Sequence, residues 1–480
     1  MSKSSEASSA PTLLIHSLEA TMASPVTGSC DILIEGGRIT AIGDGLKPPA
    51  GAKVISGRNR IAVPGLVNAH WHSPMQTSVG TSDRLDHKRF MWLNQADTAG
   101  RSLEETEISA LLGIIHMIRT GTTSVVDHFP EQRFEVEDVG AAVSALEKSG
   151  MRGVVALRIF DGEYTDIMPD SRQATPALTA AIAEHNPLVP RPMAESMAIV
   201  EAAVARFDRT AGRIRIFPAP SNPVRCSDAF LVACHEIAKR HDLGVHCHLL
   251  ETETQKTVAQ KRYGRSMVEQ MQALGVLDHR WSNAHCNWVT EHDMELMAEA
   301  RAVATFNPES NLKIGSGVPP IPALLRAGVP CAIGTDGAST NDNLILQEAM
   351  QLAAMIHRAS EPDRSRWVTV EQVLAIGTTG GAAAMLEPEL GRLEVGQKAD
   401  IVLYDLDEPT WVPFNDPVQQ LVFGERGAGV RTVIIDGRVV LDEGRILGFD
   451  EAHVIREAKG LLTRSRARNA SIAKIADAFV

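Results

Sequence analysis

The chain reads as an α/β protein built on a (β/α)8 TIM barrel, with a small β-sandwich domain assembled from both chain ends. Three observations predict this. Eight short apolar runs between residues 64 and 388 alternate with stretches of helical periodicity, the pattern of parallel strands joined by crossover helices. Segments rich in β-formers and hairpin turns bracket that region on both sides. Ionisable residues gather at the C-terminal ends of several of the eight runs, where barrel chemistry sits. An open doubly wound sheet would instead want a Gly-rich phosphate loop after an early strand, and the sequence has none there.

The expected barrel strands are 66–69, 124–127, 153–157, 214–218, 244–248, 282–285, 302–305 and 331–334. Between them, 104–120 carries Ile108, Leu111, Leu112, Ile115 and Ile118 near the 3.6-residue period, and 228–240 behaves likewise. At the N-terminal end, 12–16 and 30–34 read as strands, and Gly36-Gly37 turns the chain into 38–42. The same texture returns in 399–404 and in 433–440, where Asp436-Gly437 is a hairpin signal. We therefore expect a disordered tail over 1–10, a composite β-sandwich from 11–63 and 389–449, the barrel over 64–388, and a C-terminal helix over 450–480.

With 480 residues, 44% hydrophobic and 22% charged, the chain has an ordinary globular composition. It is long enough for one barrel of roughly 250 to 350 residues and a smaller domain. A net charge of −12 argues against a nucleic-acid partner, because phosphate binding wants a basic stripe. Six scattered cysteines without a C-x-x-C pair indicate neither a disulfide framework nor a cysteine zinc site. They fit a cytoplasmic protein. The Ser-rich start lacks a signal-peptide core and no apolar run of about 18 residues occurs, so no membrane partner is expected.

The run from Pro64 to His72 ends in two histidines one residue apart. Residues i and i+2 of a strand share a face, so His70 and His72 project side by side and can hold one metal ion. Alone the pair is a weak signal, since many such histidines are merely structural. Other strand ends add Asp127-His128, Arg158, His246-Cys247-His248 with Glu251, His285 and Asp336. Any one of these could be a core histidine or, for Asp336, a helix cap. Three imidazoles and one carboxylate on a single rim nevertheless make a chemically sensible zinc or ferrous site. His246 reads as structural, and Cys247 as a small apolar residue pointing the other way. Asp127 and His128 fit a supporting role or a structural one, and Arg158 fits an anionic substrate group or a rim salt bridge. Residues 73–100 read as a substrate loop in which Gln76 and Trp92 could bind a ring.

Several ordered motifs carry a resemblance: Pro64-Gly-Leu-Val-Asn-Ala-His-x-His72, Gly121-Thr122-Thr123, His248-Leu-Leu-Glu251, His285, Ser310-Asn-Leu-Lys313, Gly334-Thr-Asp336-Gly337 and the tail from Gly391 to Asp400. They resemble the amidohydrolase superfamily, in the chlorohydrolase/aminohydrolase branch that holds atrazine chlorohydrolase, guanine deaminase and S-adenosylhomocysteine deaminase. The resemblance implies that His70, His72, His248 and Asp336 bind one divalent ion, Zn2+ or Fe2+. Two-metal members take a carbamylated lysine from strand four, whose end here is Pro218-Ala219-Pro220-Ser221-Asn222. It also implies attack by a metal-bound hydroxide, with Asp336 taking a proton, Glu251 shuttling one to a substrate ring nitrogen, and His285 stabilising charge.

Relatives that deaminate adenosine-like substrates carry Pro-His-x-Pro after strand four and His-x-Pro-x-Ser-Asn after strand seven. Here Ser221 and Phe306 stand where those imidazoles would be, which implies a flatter, less polar small-molecule substrate. The implied activity replaces the exocyclic amino group of a nitrogen heterocycle, of purine, pterin, pyrimidine or triazine type, in a homo-oligomer (dimer or tetramer). One alternative cleaves C–Cl, N-alkyl, amide or urea bonds by the same attack. A non-catalytic scaffold on this fold is the other, and the intact set of ionisable residues speaks against it.

Overall fold

The computed structural model describes residues 10–23, 28–85, 87–129, 135–167, 175–187 and 189–479. Of the expected N-terminal tail, only Ala10 falls within the described residues. The chain opens with β1 (Leu13–Leu18), β2 (Ala20–Thr21), β3 (Cys30–Glu35), β4 (Arg38–Gly43), β5 (Lys53–Ser56) and β6 (Arg60–Pro64). The barrel strands follow as β7 (Leu66–Trp71), β8 (Thr122–Phe129), β9 (Arg152–Ile159), β10 (Ile214–Pro220), β11 (Val245–Leu249), β12 (Trp281–His285), β13 (Val303–Phe306) and β14 (Cys331–Ile333). The chain then returns as β15 (Ile401–Asp405), β16 (Val430–Ile435), β17 (Arg438–Asp442) and β18 (Arg445–Ile446).

Two sheets lie outside the barrel, in the orders β4-β3-β1-β5 and β18-β17-β16-β15-β6-β2. Because β6 pairs antiparallel with β15, strands from both chain ends share one ladder. Leu13, Ile15, Ile32, Ile34, Ile401, Leu403 and Ile434 are buried together in one core drawn from both sheets. In the barrel, β7 to β10 and β11 to β14 form two four-stranded parallel ladders. Main-chain hydrogen bonds bridge the two seams. His248 N–H reaches Ser221 O across 3.4 Å, and Asp336 N–H reaches His70 O across 3.0 Å.

The helix Leu103–Arg119 shows how β7 is held. Ser102 and Glu105 form a reciprocal capping box at its start, which satisfies two otherwise orphaned donors. Its apolar stripe, including Ile108, Leu111, Ile115 and Ile118, is buried. A Cβ on Gly113 would stand 2.2 Å from the Trp71 ring, so the helix can close on β7 only because glycine sits there. Trp71 thereby faces the helix, and its neighbours in the strand face the barrel mouth.

Two segments differ from expectation. Residues 73–100 contain a 3-10 turn, Ser73–Ser78, and a helix, His87–Thr98, in place of a plain loop. The C-terminal region is broken into Glu451–Ala458, Leu461–Arg468 and Ala470–Lys474, with a last turn Ile475–Ala478, where one helix was expected. Gly460 and Asn469 stand at the breaks, and the Asn469 amide donates to Ala96 O and Ala99 O at 2.8 Å each. Among the described residues, no helix is long and apolar enough to cross a membrane.

At the N-terminal face of the barrel, Arg152 is 1% exposed and makes a bidentate pair with Asp400, both distances 3.0 Å. It also reaches Asp436 Oδ1 at 3.1 Å, while Asp436 N–H donates to Asp400 Oδ1 at 2.9 Å. This buried network joins the barrel to the β-sandwich. Removing one member of a buried pair leaves the other charge uncompensated. Asp400→Ala is therefore expected to destabilise the fold by about 3–5 kcal/mol, read as a lower urea midpoint, and a midpoint equal to the parent's would contradict it.

Candidate active site

Four strand ends carry the expected residues to one place. His72 continues the extended path of β7 (φ −133°, ψ 94°), so its ring stands beside that of His70, with centroids 4.8 Å apart. His248 lies on β11, His285 ends β12, and Asp336 follows β14. His285 and Asp336 have φ of 77° and 60°. Non-glycine residues in this left-handed region cost of order 1–3 kcal/mol and cluster where a side chain must be re-aimed.

The second ring nitrogen of each histidine is tied down. His72 Nδ1–H donates to His128 O at 2.7 Å, and His248 Nδ1–H to Ser221 O at 2.6 Å. His70 Nδ1 meets His246 Nε2 at 2.8 Å, and His246 Nδ1 meets Ser282 Oγ at 3.1 Å. His285 Nδ1–H faces Asn311 Oδ1 at 2.8 Å. Such partners fix tautomer and ring direction, as they do for metal-binding histidines generally. His246 is thus a neighbour that orients His70. Cys247 points elsewhere, its thiol 3.4 Å from Asn283 Oδ1. Asp127 Oδ1 accepts Ser73 N–H at 2.9 Å, which holds the turn after His72, and burial pushes its carboxyl up to about 6.

With Nδ1 protonated on His72 and His248, both Nε2 atoms carry lone pairs, yet they stand only 3.3 Å apart. Asp336 Oδ1 joins them, 3.2 Å from His72 Nε2 and 3.6 Å from His70 Nε2. Lone pairs and a carboxylate converging in a buried site repel one another unless a cation lies between them. Donors about 2.1 Å from a shared ion stand roughly 3.0–3.5 Å apart, which agrees with this spacing. His70 Nε2 and His285 Nε2 are buried without a hydrogen-bond partner among the described residues, and ligand atoms of His70, His285 and Asp336 lie within 4.8 Å of one another. Burial, then the neighbouring imidazoles, lower His248 to about 3. Burial likewise holds His70 well below the usual histidine range. Both shifts favour the neutral ring, the form that binds metal, so the donor set fits a divalent ion.

A cavity of about 480 Å³ opens over this cluster, lined among others by His87, Phe90, Arg158, Ser221, Glu251 and Trp288. Arg158 and Ser221 therefore reach the place expected of them. Three expected contacts do not. Trp92 is completely buried on the far side of its helix, with its indole N–H on Ile472 O at 2.7 Å and its ring packed on Tyr164; reading 73–100 as a loop concealed that helical rotation. Phe306 ends β13 with its ring in the hydrophobic core and no exposure, because a strand-end residue on the pleat's outer face is turned from the mouth. Gln76 is buried within the turn Ser73–Ser78, outside the cavity lining.

Glu251 faces the cavity between two histidines. Its Oε1 is 3.2 Å from His87 Nε2 and 3.9 Å from His285 Nε2. Burial would push Glu251 up, but His285 and His87 hold it below the usual carboxylate range. It does not cap the next helix: Thr252 does, accepting Gln255 N–H. Sequence reasoning missed three contributors. Ser310 Oγ donates to Asp336 Oδ2 at 2.6 Å, and Asn311, beside it in the quoted Ser-Asn motif, orients His285. His87 was also missed, although His87, Phe90, Met91 and Asn94 fall at i, i+3, i+4 and i+7 and all line the cavity.

An eight-stranded barrel with this donor cluster over its C-terminal face defines a barrel protein whose strand ends can hold a divalent ion. The family model for the amidohydrolase family matches residues 61–440. The chain belongs to that family. It is 32% identical over 434 residues to a 5'-deoxyadenosine deaminase of Methanosarcina acetivorans, covering 89% of this chain and 91% of the relative. It is 31% identical over 433 residues to a 5-methylthioadenosine/S-adenosylhomocysteine deaminase of Caldanaerobacter subterraneus, covering 89% and 92%. Among solved structures, a zinc-bound adenosine deaminase from Xanthomonas campestris superposes with a TM-score of 0.82 at 25% identity, over 95% of this chain and 99% of that one. A zinc complex of atrazine chlorohydrolase from Arthrobacter aurescens shares the fold, with a TM-score of 0.84 at 22% identity over 94% and 100%.

The converging lone pairs predict a single tight site. Zinc added back to metal-stripped protein is expected to saturate at about one equivalent per chain by elemental analysis, and His248→Ala to weaken retention on dialysis. Two tight equivalents would contradict the single-site geometry.

Proposed function

We propose that the protein is a zinc-dependent aminohydrolase that replaces the exocyclic amino group of a purine-type heterocycle, in an adenosine-like nucleoside, by oxygen and releases ammonia. The reading rests above all on Glu251, a buried carboxylate facing the cavity three residues beyond His248 and 3.9 Å from His285. Support also comes from deaminase relatives that match 89% of the chain, and from the apolar Phe90, Met91 and Trp288 side chains that flank the cavity. The flatter substrate expected from Ser221 and Phe306 is set aside, since Phe306 lies in the core and outside the cavity.

In this reading His70, His72, His248 and Asp336 hold the ion. When bound, a divalent ion lowers the pKa of water from 15.7 to about 7 and so supplies a nucleophile at neutral pH. With Nδ1 turned to Asn311, His285 presents Nε2 to the attacking water and orients it. Glu251 takes the first proton from that water and delivers it to the ring nitrogen beside the attacked carbon. Asp336, steadied by Ser310 at 2.6 Å, takes the second proton and passes it to the amino group. The C–N bond then breaks and ammonia leaves.

Replacing Glu251 by Gln is expected to leave metal content unchanged, since Glu251 lies outside the donor set, and to lower turnover by roughly 10² or more. The measurement pairs metal analysis with ammonia release on one preparation. The panel spans 5'-deoxyadenosine, methylthioadenosine, S-adenosylhomocysteine, free purines, pterins and triazines. Near-normal ammonia release by the metal-loaded variant would remove the shuttle, and release of chloride or alkylamine alone would favour the other hydrolytic reading.

A further inference from the structure

His87 enters the site from an element that the ligand set does not include. It is the first residue of the helix His87–Thr98, and its side chain is 19% exposed. Phe90, Met91 and Asn94 continue the same helical stripe over the cavity, so this helix is the roof of the site. The roof is fixed from behind. Trp92 N–H bonds Ile472 O at 2.7 Å, Asp97 pairs with Arg466 at 2.9 and 3.0 Å, and Arg89 reaches Asp477 at 3.0 Å.

From that position His87 Nε2 comes to 3.2 Å of Glu251 Oε1. This is closer than His285 at 3.9 Å to the same oxygen, and closer than Gln255 Nε2 at 3.5 Å to the other. The shortest approach to the Glu251 carboxyl is thus an ion-pair contact from the roof without hydrogen-bond alignment, while Gln255 donates the hydrogen bond to Oε2 and the barrel supplies the backbone.

We propose that His87 is a positioning residue for Glu251: by contacting Oε1, the oxygen that also faces His285, it holds that edge of the carboxyl toward the site while Gln255 takes Oε2, and so makes proton delivery depend on the roof helix being seated. This rests on the shuttle assignment made above for Glu251. A long side chain with free torsions spends little time in one orientation unless a partner holds it, and misplacement of a catalytic group by about 1 Å can cost on the order of 10² in rate.

The test is a double-mutant cycle on the metal-loaded full-length enzyme, with the best substrate of the panel. His87→Leu is expected to lower kcat by about 10- to 100-fold, with KM and metal content little changed. His87→Gln, which keeps an N–H near the position of Nε2, should recover most of the loss. In the Glu251→Gln background, His87→Leu should add almost nothing, because residues acting as one unit are non-additive. If Leu and Gln serve equally well, or if His87→Leu costs as much with Glu251 absent, His87 does not act through Glu251 and the proposal falls. If Glu251→Gln alone is harmless, the shuttle itself has failed, which is a separate result. A substrate-free measurement runs alongside: the carboxylate infrared band lost in Glu251→Gln should shift in His87→Leu, and an unmoved band overturns the contact.

Discussion

Mutual repulsion inside a buried barrel mouth is the constraint on which the rest of this structure depends. His72 Nε2 and His248 Nε2 face each other at 3.3 Å with their protons committed to carbonyls on the other side, and the Asp336 carboxylate completes the crowd. Such an arrangement is held open by main-chain geometry and satisfied by a cation. The same residues also sit on both barrel seams, where His248 bonds to Ser221 and Asp336 bonds to His70 through the backbone. Closing the barrel and assembling the site are one structural event, so ligand geometry is inherited from strand register and owes little to mobile loops.

The price of that geometry is local strain, visible as left-handed backbone at His285 and Asp336. The short helix Pro308–Lys313 offsets it. Ser310 holds Asp336 Oδ2, and Asn311 holds His285 Nδ1. Asn311 is itself oriented by donating to Asn287 Oδ1 at 2.8 Å, and Asn287 donates to the Glu251 carbonyl at 2.8 Å. Two of the proposed catalytic groups and the backbone of the third are thus linked through adjacent residues of one turn of helix. A displacement at any point would be felt at all three.

Much of this was legible in the chain. All eight barrel strands were placed, because short apolar runs separated by amphipathic helices leave few other folds open. His70, His72, His248, Glu251, His285 and Asp336 could be named because they fall at strand ends, where register converts sequence position into direction. The side of a helix is harder to read when the segment is polar and lacks strong periodicity. His87–Thr98 carries His, Lys, Arg, Asn, Gln and Asp among its apolar residues, and it passed for a loop. That single misreading misplaced Trp92 and hid His87. Phe306 failed differently: the motif located it at a strand end, but its core packing depends on neighbours far away in sequence. The break at Asn469 was equally unreadable, since its reason is a pair of carbonyls some 370 residues earlier.

Those distant carbonyls give the roof a temporal meaning. Every proposed ligand has been synthesised once residue 336 is made, and the barrel closes with segments that precede residue 388. Arg466, Asn469, Ile472 and Asp477, which back the roof helix, emerge from the ribosome more than a hundred residues after Asp336. A nascent chain therefore owns a complete set of metal donors well before it owns a covered pocket. The cover over the cavity is thus the last part of the site to be completed, since its helix is backed by residues of the C-terminal stretch.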